Sequence, residues 1–186
     1  MKRILAGVAL VALATSTWAA PVVVAGKQYN VTGKIGVKAV GKCYGHSVAG
    51  GGYSPTPIDA SILLGNSDQA GGTFTWFNDT IMVAPVATGT ITERNGNKLT
   101  LKFDGDATDG AGSVLFTMSG IQPGVYGDGA VEFGGYKFDA VVSNAKVNGQ
   151  ASTKIKITES VSTSMRTIST PCSFKWTVKR VLTGVE

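Results

Sequence analysis

The chain has 186 residues, with 17 Lys and Arg against 12 Asp and Glu, and it contains 25 Gly, two Cys and one His. That length suits one ordinary domain, and a hydrophobic share of 43% supplies a core and excludes a disordered chain. One His and two Cys leave few parts for a metal enzyme or a catalytic triad, and no Gly-x-Ser-x-Gly motif is present. We therefore expect a small β domain that is not an enzyme.

The first residues have the anatomy of a secretory signal peptide. Lys2 and Arg3 precede an apolar stretch, and Thr17 and Ala19 put small side chains at the −3 and −1 positions of a cut before Ala20. We expect residues 1–19 to be removed and residues 20–186 to form a single domain, located in the periplasm or outside the cell. Two of the five net positive charges leave with the peptide. The modest remainder predicts no nucleic-acid partner.

The rest of the chain lacks any apolar run of about 18 residues, so we expect no membrane span. We also expect a monomer. An exported protein meets oxidising conditions, which favour pairing of Cys43 with Cys172. Such a bond requires the two Cα atoms to lie within about 7 Å. Both cysteines have the inward parity of their segments, so the first and last strands are predicted to be neighbours.

The first predicted strand runs from Tyr29 to Cys43 with a period of two residues. Its inward side chains are mostly apolar, its outward ones are mostly lysines, and Gly33 marks a predicted bend or bulge. Residues 44–57 are rich in Gly and Pro, which favours a loop. Shorter alternating segments follow at 58–64, 73–77 and 81–83.

The second half continues the same pattern. Asn95-Gly96 between alternating segments is typical of a hairpin with a type I′ turn. Gly134-Gly135 predicts a second tight hairpin, between residues 131–133 and 136–138. Further strands are expected around residues 114–118 and 152–158, and the last begins at Phe174. A change of phase at Lys179-Arg180 predicts a bulge in that last strand.

Roughly nine to eleven short strands without a helical pattern indicate an all-β, antiparallel fold. Because consecutive hairpins dominate, we favour an up-and-down β-barrel, with a β-sandwich as the alternative. Large inward side chains of a barrel either fill its interior or line a cavity for one apolar ligand. The candidate ligand-binding residues are the inward aromatics Tyr29, Phe74, Trp76, Phe116, Phe138 and Trp176.

Two further groups of residues suggest chemistry. Asp104, Asp106 and Asp109 lie in a glycine-containing segment and offer hard oxygen ligands to Ca²⁺, although Asp and Gly are also ordinary turn residues. Outward lysines on the first and last strands predict a basic row that meets an anionic surface or polymer. Lysines on exposed strands also keep sheets from pairing, so both interpretations stay open. These lysines are Lys34, Lys38, Lys42, Lys154, Lys156, Lys175 and Lys179.

The layout of a signal peptide, short hairpins and a bond between distant strands is similar in outline to lipocalin-like barrels. Residues 72–76 do not reproduce the Gly-x-Trp opening of that family. The resemblance implies a binding protein without a cofactor, which carries a small apolar or amphipathic ligand. The competing hypothesis is a structural or adhesive surface domain, like a pilus subunit, that binds another macromolecule.

Overall fold

The computed structural model describes residues 22–77, 85–95, 98–105, 130–167 and 171–186. Within these ranges the chain forms nine β-strands and no helix. The strands are β1 (Gln28–Cys43), β2 (His46–Leu64), β3 (Thr73–Phe77), β4 (Pro85–Asn95), β5 (Lys98–Gly105), β6 (Ala130–Phe133), β7 (Tyr136–Val147), β8 (Gln150–Arg166) and β9 (Cys172–Val185). The prediction of an all-β, antiparallel fold is confirmed.

The nine strands form one antiparallel sheet with ring-like hydrogen bonding. Neighbouring strands follow the order β6-β8-β7-β5-β4-β3-β2-β1-β9, and β9 also pairs with β8. Eight strands therefore close a circuit in which β9 lies between the first strand and β8. Because β1 and β9 come from opposite ends of the chain, this closure depends on contacts between residues far apart in sequence.

The predicted first strand is confirmed. Tyr29, Val31 and Ile35 are buried, and the intervening Asn30, Thr32 and Lys34 are exposed. The register of β1 against β2 shifts between Val31 and Gly33, which is the irregularity predicted at this glycine. Strand β1 thus presents one apolar and one polar face, as its period of two requires.

The disulfide between Cys43 and Cys172 is also present. The two cysteines are directly opposite each other in the β1–β9 ladder, at the end of both strands. Between Thr32 and Cys43 each residue of β1 has a partner on β9 without a shift in register. The first and last strands are therefore neighbours, as the parity of the two cysteines predicted.

The predicted loop at 44–57 is wrong, because most of it belongs to β2. Only Tyr44 and Gly45 make the turn, and both adopt the positive φ angles of a type I′ hairpin (50° and 79°). His46 already pairs with Cys43, and the glycines that follow continue the ladder with β1. Glycine is a weak strand former, so pairing with a long, regular neighbour overrides the local preference.

The predicted hairpin around Gly134-Gly135 is wrong as well. Strands β6 and β7 do not pair with each other in the described ladders; both pair with β8, β6 at residues 163–166 and β7 at residues 150–160. They lie end to end along one edge of the longer strand, and the Gly134 amide donates to the Ser162 carbonyl where they meet. The predicted hairpin of β4 and β5 is confirmed, but Asn95 pairs with Lys98 and is therefore the last residue of β4 rather than a turn residue.

The bulge predicted at Lys179-Arg180 is absent, since β9 keeps its register against both neighbours. Arg180 instead takes an inward position between Val178 and Leu182, and its side chain is only 1% exposed. The alternation of apolar and polar residues is thus interrupted because a charged residue, Arg180, lies on the buried face. Its partner is Glu159, directly opposite on β8 and fully buried.

Two further side chains, Trp76 and Tyr136, donate hydrogen bonds to this buried ion pair. Arg180 Nε donates to Glu159 Oε2, and Trp76 Nε1 and the Tyr136 hydroxyl donate to Glu159 Oε1 at 3.1 and 2.5 Å. The Arg180 guanidinium also lies 5.4 Å from the centre of the Trp76 ring. Burial raises the pKa of Tyr136 well above its usual value, and the negative charge of Glu159 raises it further. The phenol therefore remains a hydrogen-bond donor.

Candidate functional site

Four of the predicted ligand-binding aromatics lie in the core. Tyr29, Phe74, Trp76 and Phe138 are each at most 1% exposed. The Phe138 ring stacks on Phe74 with centroids 5.2 Å apart and touches Trp76 at 5.4 Å. The Tyr29 hydroxyl shares a hydrogen bond of 2.6 Å with Thr153. These side chains therefore pack against one another or form hydrogen bonds with buried polar groups.

The other two aromatics differ from this group. Trp176 is partly buried near the disulfide end of β9, where its ring is 5.6 Å from that of Phe174. Phe116 lies outside the described residues, and so do the predicted signal peptide (1–19) and the segments at 81–83 and 114–118.

The candidate calcium ligands lie mostly outside the described ranges too. Asp104 is in β5, opposite Lys137 of β7, whereas Asp106 and Asp109 are beyond the end of that strand and are not described. Among the side chains that are described, no group of three His, Cys, Asp or Glu is placed to hold a metal ion. The calcium hypothesis therefore stays a prediction.

The predicted basic row is the feature that the fold brings together. All seven lysines are exposed and lie on the outward side of β1, β9 and β8, which are adjacent strands. Arg166 at the end of β8 shares this side, since it pairs with the outward Ser173 opposite Lys42. We call these eight residues the basic stripe: Lys34, Lys38, Lys42, Lys154, Lys156, Arg166, Lys175 and Lys179.

The register distributes the stripe evenly along the strands. On β9 the outward positions are residues 173, 175, 177, 179, 181, 183 and 185, and each one is a lysine or has a cation beside it on β1 or β8. Lys175 and Lys179 are on β9 itself, and Lys38 sits beside the position between them. At about 3.3 Å per residue, a cation recurs roughly every 7 Å over about 40 Å.

The outward sides of β1, β8 and β9 carry no acidic group. Among the three strands, which are described over their full length, the only acidic residue is Glu159, and it points inward to Arg180. On the neighbouring strand β7, Asp139 is opposite Thr158 of β8, and it forms an exposed ion pair with Lys102 of β5 at 3.8 Å. The positive charges of the stripe are thus not neutralised within the strands that carry them.

Three grooves follow the stripe, and each contains at least two of its cations. One of about 850 Å³ near the disulfide is lined by Lys42, Arg166 and Lys175, and one of about 630 Å³ near the other end by Lys154 and Lys156. The middle groove, of about 590 Å³, is lined by Lys38, Lys179, Tyr53 and the glycines of β1 and β2.

Tyr53 forms a wall of the middle groove. Its ring is 61% exposed and lies over Gly36, where a Cβ atom would come within 2.3 Å of the ring. The Lys34 ammonium is 5.1 Å from the ring centre, within the range of a cation–π contact. An aromatic face, a floor without side chains and a row of cations therefore share one groove.

Neutral hydroxyl groups fill the positions between the cations on β8 and several of those on β9, whereas Gly36 and Val40 lie between the lysines of β1. The outward residues of β8 between Lys156 and Arg166 are Thr158, Ser160, Ser162 and Ser164, and β9 adds Ser173, Thr177 and Thr183. Each can donate and accept hydrogen bonds. The surface therefore combines charge with many short hydrogen-bonding groups.

Sequence reasoning missed Arg166 and Tyr53. Arg166 continues the parity of Lys154 and Lys156, so a longer β8 would have revealed it. The three glycines before Tyr53 predict a loop, and only the pairing with Gly36 brings this tyrosine to the stripe.

No helix in the described part of the chain is long and apolar enough to cross a membrane. Comparison with family models, with curated proteins and with solved structures finds no match for this chain.

Proposed function

We propose that this protein is an exported, non-enzymatic binding module with the form of an up-and-down barrel, and that its basic stripe binds an anionic polymer. The observation that carries the proposal is the spacing of eight exposed cations over seven successive outward positions, with no acidic residue among them. Fields of one sign attract a partner of the opposite sign and speed its association.

The barrel form is supported by contacts that cross the interior of the ring. Trp76 on β3 donates to Glu159 on β8, although the ladder separates these strands by β4, β5 and β7. Opposite sides of the ring therefore touch through their buried side chains. Export is supported by the sequence of residues 1–19 and is compatible with the disulfide.

An apolar carrier is the weaker of the two functions. Four of the six predicted ligand-binding aromatics, Tyr29, Phe74, Trp76 and Phe138, contact each other or buried polar partners and therefore belong to the core. Native mass spectrometry of the protein isolated from its exported fraction tests the carrier directly, because a bound small molecule adds its mass until the protein unfolds.

The test of the stripe measures binding to poly-L-glutamate, a simple anionic polymer, by isothermal titration calorimetry. We expect binding at about 0.01 M salt and its loss near 1 M, where the Debye length falls from about 30 to about 3 Å. The variant Lys38→Gln/Lys179→Gln should bind more weakly. The matched control Lys102→Gln/Lys146→Gln removes two charges from β5 and β7 and should bind like the parent protein. Equal weakening in both variants would contradict the proposal, because it would mean that only net charge matters.

A further inference from the structure

Resting on the proposed function, we infer that the anionic polymer is a linear acidic polysaccharide, and that Tyr53 stacks on one of its sugar rings above Gly36. Three observations select this partner from other polyanions: the row of cations, the exposed aromatic ring beside a glycine floor, and the hydroxyl groups between the cations.

The cations are arranged for an extended chain. Along the strands they alternate between β1 and β9 from Lys34 through Lys179, Lys38 and Lys175 to Lys42, so they form a narrow track two strands wide. A folded acidic protein would present its charges over a rounded patch, whereas an extended polymer presents them along a line. This track spans residues 173–181 of β9, about 26 Å, and Lys156 and Lys154 on β8 lengthen the row to about 40 Å, which accommodates several repeats of such a polymer.

The groove at Tyr53 is suited to a flat ring with an apolar face. The tyrosine ring covers Gly36 and is exposed on its outer side, and Gly50 and Gly52, where a Cβ atom would meet nothing within 4 Å, leave space beside it. A pyranose ring has a face of C–H groups that packs on an aromatic side chain, while carboxylates on the same polymer reach Lys38 and Lys179. One side chain therefore binds the sugar, and its neighbours bind the charge.

The side chains of the track argue against a nucleic acid as partner. Proteins that bind single strands without sequence preference stack successive bases on several aromatic side chains, but this track carries one exposed aromatic ring at its middle groove. Seven of the eight cations are lysines rather than the arginines that recognise phosphate with two parallel hydrogen bonds. Serine and threonine side chains instead match the many hydroxyl groups of a sugar chain.

The experiment compares acidic polysaccharides with poly-L-glutamate, which has the charge but no sugar ring. The probes are polygalacturonate, alginate and hyaluronan, with an oligo-deoxythymidylate as the nucleic-acid comparison, and the readout is the dissociation constant at low salt. We expect at least one polysaccharide to bind more tightly per charge than poly-L-glutamate and the oligonucleotide. Methyl-esterified polygalacturonate, with its carboxylates neutralised, should bind far less well than the acid.

Variants then separate the ring from the charge. Tyr53→Ala should weaken polysaccharide binding about three- to tenfold, the range of one aromatic contact, and leave poly-L-glutamate binding unchanged. Tyr53→Trp should restore it. Gly36→Ala keeps every charge but displaces the Tyr53 ring, so it should resemble Tyr53→Ala. Tyr44→Ala, at an exposed tyrosine in the hairpin turn, is the matched control and should bind normally.

The outcomes distinguish the two proposals. If poly-L-glutamate binds through the stripe but Tyr53→Ala has no effect on any polysaccharide, this inference is overturned while the proposed function stands. Tighter binding of the oligonucleotide than of every polysaccharide overturns it in favour of a nucleic acid. If none of the polyanions binds, the proposed function and this inference both fail.

Discussion

Glu159 and Arg180 face each other across the β8–β9 ladder with side chains that are 0% and 1% exposed. An ion pair removed from water is costly unless its remaining hydrogen-bonding groups are satisfied. Here Trp76 and Tyr136 donate hydrogen bonds to the Glu159 carboxylate, and both come from strands other than β8 and β9. The network therefore links β3 and β7 to the two strands that close the ring.

Replacing Glu159 with Gln should destabilise the protein by about 3–5 kcal/mol, because the Arg180 charge stays buried without a carboxylate. Urea denaturation followed by circular dichroism measures the loss. The double variant Glu159→Leu/Arg180→Met removes both charges and should recover part of the stability. A double variant less stable than Glu159→Gln would contradict this account of the pair.

Ionisation of the Tyr136 phenol should lower the free energy of unfolding at alkaline pH. Its folded-state pKa is raised, chiefly by burial, so the stability it contributes is complete below the unfolded value near 10 and is lost as the pH rises above that value. The pKa of Tyr29 is raised in the same direction, mainly by burial. We expect the free energy of unfolding to decrease less steeply above about pH 10 in Tyr136→Phe than in the parent protein. Tyr44→Phe, at an exposed position, should retain the parent slope.

Trp76 and Trp176 should respond differently to truncation. Trp76→Ala removes a fully buried ring and a donor to Glu159, and we expect a loss of about 3–5 kcal/mol. Trp176→Ala removes a partly exposed ring, for which about 1–2 kcal/mol is expected. Chemical denaturation of both variants measures the difference, and equal losses would show that Trp76 is not part of a packed core.

Removing the disulfide should lower stability without opening the ring. The bond spans 129 residues, so the chain-entropy model gives a loss of about 5 kcal/mol as an upper figure for Cys43→Ser/Cys172→Ser. The far-ultraviolet spectrum should be unchanged, because β1 and β9 are paired along most of their length. Reductant should lower the denaturation midpoint of the parent protein and leave that of the variant unaltered.

The basic stripe should contribute nothing favourable to folding. Lys38 and Lys179 are exposed and are surrounded by like charges, so Lys38→Gln/Lys179→Gln is expected to change stability by no more than about 0.5 kcal/mol, towards greater stability at low salt. Thermal unfolding at two salt concentrations tests this. A clear loss of stability would assign the two lysines a structural role instead.

The sequence predicted those parts of the fold that depend on one strand at a time. The two faces of β1, the inward parity of Cys43 and Cys172 and the outward position of the seven lysines all follow from a period of two. What it could not predict depends on a partner strand. The sequence predicts a bulge at Arg180 because the carboxylate that permits burial of this arginine is 21 residues away.

The site shows the same limit. Tyr53 follows three glycines, and local preference alone makes that segment a loop. Its place beside Lys34 is set by the β1–β2 register, and so is its contact with Gly36. The even spacing of the stripe likewise needs two registers at once, those of β9 with β1 and with β8.

Strand β9 has a consequence for how the molecule is assembled. Strand β1 reaches β2 through a two-residue turn, but its other edge stays open until the last strand of the chain arrives. Contacts between residues so distant in sequence slow folding, because closing the long loop between them costs chain entropy before the contacts can form. A shortened chain without β9 would expose unpaired edges on both β1 and β8, which are templates for aggregation. Only a chain that includes β9 can cover both edges and close the ring, so truncated chains are expected to aggregate.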